Sequence, residues 1–146
     1  MMTTTSITPI LQLAVSPAIL ISAVGLILLT LNNRMVASIS RARLLVRESD
    51  AATGTIKKKM ESEISVIYRR AEFIRYAIVF SIASALASSV LIISLFIATL
   101  FGFEITWLYS LCFIAALGCL IVGLVYFIRD VNSGLVALRM ELEERD

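Results

Sequence analysis

Histidine is absent from the 146 residues, and cysteine and proline occur only twice each. Without histidine the chain lacks the commonest metal ligand and the usual general base near neutral pH. The six glycines are scattered and form no phosphate-cradling loop. Charge is scarce too: Asp, Glu, Lys and Arg make up 16% of the chain, against about 25% in soluble domains. A net charge of +2 is too small for nucleic-acid binding, which rests on neutralising phosphates. Cys112 and Cys119 stand seven residues apart in one apolar stretch, about 10 Å along a helix, so they do not bond to each other there. They read as small packing residues, with an intermolecular thiol role as the alternative. No enzyme, no metal and no cofactor is expected.

Apolar residues fill the space these absences leave. Hydrophobic residues make up 59% of the chain, and mean hydropathy is +0.93. Such a composition excludes a soluble globular domain and predicts an all-α integral membrane protein. Nothing is charged before Arg34, so the opening lacks the basic start of a cleavable signal peptide and is expected to stay attached. Thr8 and Pro9 read as a helix cap and first helical position. Ile10 to Leu31 then gives 22 residues for a first span. Tyr76 to Phe103 gives 28 for a second, long enough to tilt, and Ile105 to Ile128 gives 24 for a third. Gly102, Phe103 and Glu104 leave room only for a tight hairpin between the last two. Trp107 and Tyr109 beside it suit a headgroup-level aromatic belt.

Basic residues set the expected orientation. Ten of the 13 lie between Arg34 and Arg75 and three follow Ile128, leaving none on the other side. The positive-inside rule then places the amino terminus outside and both basic segments in the cytoplasm. Four regions result: residues 1–33 as outside terminus and first span, 34–75 as a basic cytoplasmic helical hairpin, 76–128 as the second and third spans, and 129–146 as a cytoplasmic amphipathic tail.

Helical spacing continues beyond the spans. Met35, Ile39, Ala42 and Val46 form one apolar stripe; Ile56, Met60, Ile64, Ile67, Ala71 and Ile74 form another; Val131, Leu135, Leu138 and Leu142 form a third. Ser49 to Thr55, with Gly54, reads as the turn between the first two, Thr55 capping the second helix. Ile56 to Phe103 would be one rod of about 70 Å. Three amphipathic extensions on one side would bury their stripes in a small cytoplasmic helical bundle. The alternative, that the basic ones lie on anionic lipid, fits less well with the mixed charges of Lys57 to Glu63.

No ionisable residue lies inside a predicted span, which disfavours proton-coupled transport. Small residues are abundant instead. Ser81 to Ser89 holds seven small residues in nine, and small side chains let membrane helices approach closely. Gly25 in span one, Ser81, Ala85 and Ser89 in span two, and Cys119 and Gly123 in span three are the packing candidates. One face per helix suffices for a monomer; the surplus on span two points to a second contact, with another protomer or another chain. Span one also carries a polar line of Gln12, Ser16, Ala23, Thr30, Asn33, Arg34 and Arg41. Around an oligomer axis this line would form a neutral pore with arginines at its inner mouth. Pro17 frees the Leu13 carbonyl and is the candidate kink. The competing reading gives these residues ordinary roles in packing, at the headgroups and as topology anchors.

Ser16-Pro17-Ala18-Ile19-Leu20 through Gly25, Asn33-Arg34, and Arg41-Ala42-Arg43-Leu44-Leu45 resemble the opening of an uncharacterised bacterial family, domain of unknown function two-seven-two-one. Tyr68-Arg69-Arg70, Ile74, Ala77-Ile78 and Ser84-Ala85-Leu86 are similar to its second helix. The likeness covers roughly residues 10 to 130. It implies a small three-helix protein of the bacterial inner membrane and brings no reaction with it. Pro17, Gly25, Asn33, Arg34, Arg41, Arg43, Arg69 and Arg70 carry the pattern. Ser38-Ile39-Ser40 stands where the family leads one to expect an acidic residue beside Arg41, so no Asp–Arg pair is expected there.

Two functional readings follow. The first is a homo-oligomeric inner-membrane protein and candidate ion channel lined by span one. The second is a non-conducting scaffold or accessory subunit that docks a cytoplasmic protein partner. Membrane lipid is a partner in both, and nucleic acid in neither.

Overall fold

The computed structural model describes the backbone of residues 4–102 and 106–143, and side chains over 11–12, 14–102 and 107–134. Three helices account for it: α1 (Thr4–Ala51), α2 (Thr55–Phe101) and α3 (Thr106–Glu143). Each holds a stretch long and apolar enough to cross a membrane. The protein is all-α, as its composition requires.

Two expected helix boundaries shift. α1 begins at Thr4, ahead of the Thr8–Pro9 start. Pro9 therefore lies inside the helix, where its missing N–H costs one bond to the Thr5 carbonyl without ending a helix already begun. At the other end, α1 runs through Ser49 to Ala51, and the turn is confined to Ala52, Thr53 and Gly54. Buried Ser49 donates its hydroxyl to the Val46 carbonyl at 3.1 Å, and the Ala52 N–H donates to the Ser49 carbonyl at 3.2 Å. Gly54 then reverses the chain at φ +70°, a conformation that costs other residues about 1–2 kcal/mol. Gly102 ends α2 in the same way at φ +71°. Phe103 and Glu104, the rest of the expected hairpin, and Ile105, the expected start of the third span, lie outside the described residues.

The chain forms two compact units. One comprises Met1–Leu28 and Val79–Val122, the other Leu29–Ile78 and Gly123–Asp146. In the first unit Pro17 and Val24 are buried from α1, Ser81, Ser84, Ser88, Leu91 and Ala98 from α2, and Ala116 from α3. The α2 positions step by three, four, three and seven, the repeat of interlocking helices in which the same face always meets its neighbour. Serine and alanine at these positions permit close backbone approach. Ser88 donates to the Ser84 carbonyl at 2.9 Å, whereas the Ser81 and Ser84 hydroxyls meet no partner among the described residues. Tyr109, expected as a headgroup anchor, is half-buried and donates to the Ser94 carbonyl at 3.0 Å. Trp107 is exposed.

In the second unit the described core is Leu31 from α1, Ile74 and Ala77 from α2, and Gly123 and Asp130 from α3. A carboxylate in that company is costly unless charge and hydrogen bonds compensate it.

Candidate functional site

Asp130 is reached by a simple pattern along α3. Ala116, Gly123 and Asp130 are all buried and stand seven residues apart, two turns of a helix packed on one face. The first two are small; the third puts a carboxylate with no exposed surface on that seam. Arg34 from α1 brings Nη2 to 2.9 Å from Oδ2, and Arg70 from α2 brings Nε to 3.5 Å from Oδ1. The Arg34 and Arg70 side chains keep 33% and 27% of their surface exposed, although Arg70 Nε itself is buried. Neither contact is aligned as a hydrogen bond. The attraction is therefore mainly between charges, in a place where water screens little.

Neighbouring residues shape this clasp. Phe127, one turn before Asp130, lies beneath Arg34 with its ring centroid 5.4 Å from the guanidinium carbon, within range of a cation–π contact. Gly134, one turn after Asp130, leaves a slot for Arg70; a Cβ there would stand 2.9 Å from Arg70 Nη2. Tyr126 packs against Phe73 and Tyr76 at centroid distances of 6.5 and 5.4 Å. One carboxylate thus ties three helices together, with an aromatic floor on one side and a glycine gap on the other.

A groove opens between α1 and α2 in the same unit, with a volume of about 510 Å³. Met35, Ile39, Ala42 and Val46 line it from α1, and Ile64, Ile67 and Ala71 from α2. These are members of the two apolar stripes legible in the sequence. Arg43, Arg47 and Arg75 stand exposed along its rim with Glu72 as the one acid among the lining residues. Met35 to Arg47 covers about 18 Å of helix, the length of three turns.

Other residues singled out in the sequence fall as follows. Gln12, Ser16, Ala23, Thr30, Asn33 and Arg41 are all exposed on α1. Arg34 leaves that line to face Asp130. Pro17 is buried, and α1 passes through it unbroken. Gly25 is exposed with open space where a Cβ would be. Ser81 and Gly123 are buried, while Ala85, Ser89 and Cys119 are half-buried. Cys112 and Cys119 are free thiols. No three Asp, Glu or Cys side chains gather to hold a metal ion among the described residues.

Apolar stretches on three helices, with a buried carboxylate clasped by two arginines, define a small multi-pass membrane protein. Comparison places it more closely: the family described as Protein of unknown function (DUF2721) matches residues 14–140, and the chain belongs to it. No curated protein and no solved structure matches the chain.

Proposed function

We propose that the protein is a non-catalytic docking subunit of the bacterial inner membrane, with its amino terminus outside and its carboxyl terminus in the cytoplasm. The groove between α1 and α2 would receive an amphipathic helix from a cytoplasmic partner. The observation that carries this reading is the pairing of an apolar floor with a basic rim. Such a surface fits a helix of about three turns with an apolar face and an acidic edge, the mode in which a partner inserts residues spaced i, i+3, i+4 and i+7. The Asp130 clasp supports it by holding α1, α2 and α3 in register, so that the groove is preformed and little ordering is lost on binding.

A designed helical peptide with leucines on one face and glutamates along one edge tests it, using the full chain in nanodiscs and fluorescence anisotropy. Binding is expected, with a loss of at least about tenfold in Ile67→Asp. A peptide carrying lysines in place of the glutamates is expected to bind much less. Equal binding of the two peptides, or indifference to Ile67→Asp, contradicts the proposal.

A second reading draws on α1. Gln12, Ser16 and Asn33 are exposed along the protomer, and polar groups facing lipid are costly unless another copy or water covers them. In a homo-oligomer this line would border an ion pathway, with Arg41 at its cytoplasmic end. Conductance that changes in Gln12→Ala and Arg41→Glu supports that reading; unchanged conductance and ion preference in both remove α1 from the pathway.

A further inference from the structure

We propose that the outward sides of Arg34 and Arg70 form a binding site for a phosphate group, with Asp130 as the buried counter-charge that positions them. Two guanidiniums meet one carboxylate here, so the cluster keeps one positive charge in excess. Asp130 has no exposed surface and presents nothing to an incoming anion, while both arginines remain partly open.

Each guanidinium carries five N–H donors in a planar fork suited to phosphate oxygens. Asp130 is approached by Nη2 of Arg34 and by Nε of Arg70. Sharing one carboxylate makes the two forks neighbours, and Phe127 backs that of Arg34. Arginines fixed in this way lose less freedom on binding than arginines on a mobile surface.

Arg34 follows 33 uncharged residues, and Asp130 stands two positions beyond the last apolar run. Tyr76, Phe73 and Tyr126 stack in the same unit, and aromatic residues collect at headgroup level. Basic pockets between membrane helices at that depth hold anionic headgroups. The chemistry is that of a phosphate group, carried by an anionic phospholipid or free in the cytoplasm. This inference uses the membrane placement and shares Asp130 with the groove but none of the groove's lining residues, so failure of peptide binding and failure of phosphate binding are distinguishable.

Native mass spectrometry of the full chain, delipidated in mild detergent, tests it with phosphatidylglycerol, phosphatidylcholine and inorganic phosphate as separate probes. Retention of phosphatidylglycerol over phosphatidylcholine is expected, falling about tenfold in Arg34→Gln or Arg70→Gln. Arg129→Gln, which removes the same charge from an exposed neighbour of Asp130, is expected to retain it. Arg34→Lys keeps the charge next to Asp130 and guards against loss of fold; it is also expected to bind less, since a lysine offers no planar fork. Phosphatidylglycerol that inorganic phosphate does not displace identifies the lipid as the source, whereas binding of inorganic phosphate alone, lost in the same variants, identifies the free ion. Equal loss in Arg129→Gln, or retention unchanged in Arg34→Gln and Arg70→Gln, overturns the site and leaves only diffuse attraction.

Discussion

Asp130 shows how a single residue is placed by its neighbours at one-turn intervals. Phe127 and Gly134 flank it at three and four positions, one supporting Arg34 and the other making room for Arg70. Taking away the carboxylate leaves two partly exposed cations side by side without their counter-charge. Water reaches both arginines, so the cost stays below the roughly 3–5 kcal/mol of leaving a fully buried charge unpaired, and Asp130→Ala is expected to lower the thermal unfolding temperature. Gly134→Ala sets two effects against each other. Alanine gains about 1 kcal/mol in a helix interior, but its methyl displaces Arg70 from the slot. In the natural chain the loss of the Arg70 contact is expected to cancel or exceed that gain. In an Asp130→Asn background, where the contact is already weakened, the same substitution is expected to stabilise. Unfolding of the natural protein, the two single variants and the double variant checks this, and additive effects would show that Gly134 does not act through Arg70.

At the scale of the helix, the small residues of α2 work by size. Ser81, Ser84 and Ser88 are fully buried, and the first two spend no hydroxyl on a partner among the described residues. An unpaired buried hydroxyl costs free energy that a methyl does not. Ser84→Ala is therefore expected to be neutral or to stabilise by up to about 1 kcal/mol, whereas Ser84→Leu is expected to destabilise by about 1–3 kcal/mol through overpacking. Thermal unfolding of the two variants in the same detergent separates volume from polarity. The turn glycines obey a different rule. Gly54→Ala is expected to cost about 1 kcal/mol because the backbone there sits at positive φ.

The helices themselves were readable because their signal is redundant: charge-free runs, apolar stripes at helical spacing and one Gly-containing turn all agree. Site residues were less legible. Arg34 stood out, but as part of a polar line on α1, because a sequence does not show which way an arginine swings. Arg70 entered only through the family resemblance. Asp130 was hidden by its position, since the third charge-free run ends at Ile128 and the amphipathic tail begins with Arg129. Its spacing of seven from Gly123 and Ala116, with Gly134 a turn further on, was the available signal. A carboxylate on a seam of small residues is hard to read because the arginines that compensate it come from helices distant in sequence.

For the whole molecule, the open face at Gly25 bears on assembly. Ala18, Ser22 and Gly25 are exposed on α1, and nothing lies near a Cβ built on Gly25. If copies associate through this face, Gly25→Leu is expected to lower the native mass in mild detergent without lowering the unfolding temperature of the protomer. An unchanged mass would exclude that face from assembly. Both proposals, the helix groove and the phosphate site, belong to the unit of residues 29–78 and 123–146, and both depend on Asp130 holding its helices in place. Hydrogen exchange of the full chain in nanodiscs, comparing the natural protein with Asp130→Asn, tests that dependence most directly. Faster exchange is expected in α1 from residue 29 to 47, in α2 from 64 to 78 and in α3 from 123 to 134, with residues 79–100 unchanged. Identical exchange in the two proteins would contradict it.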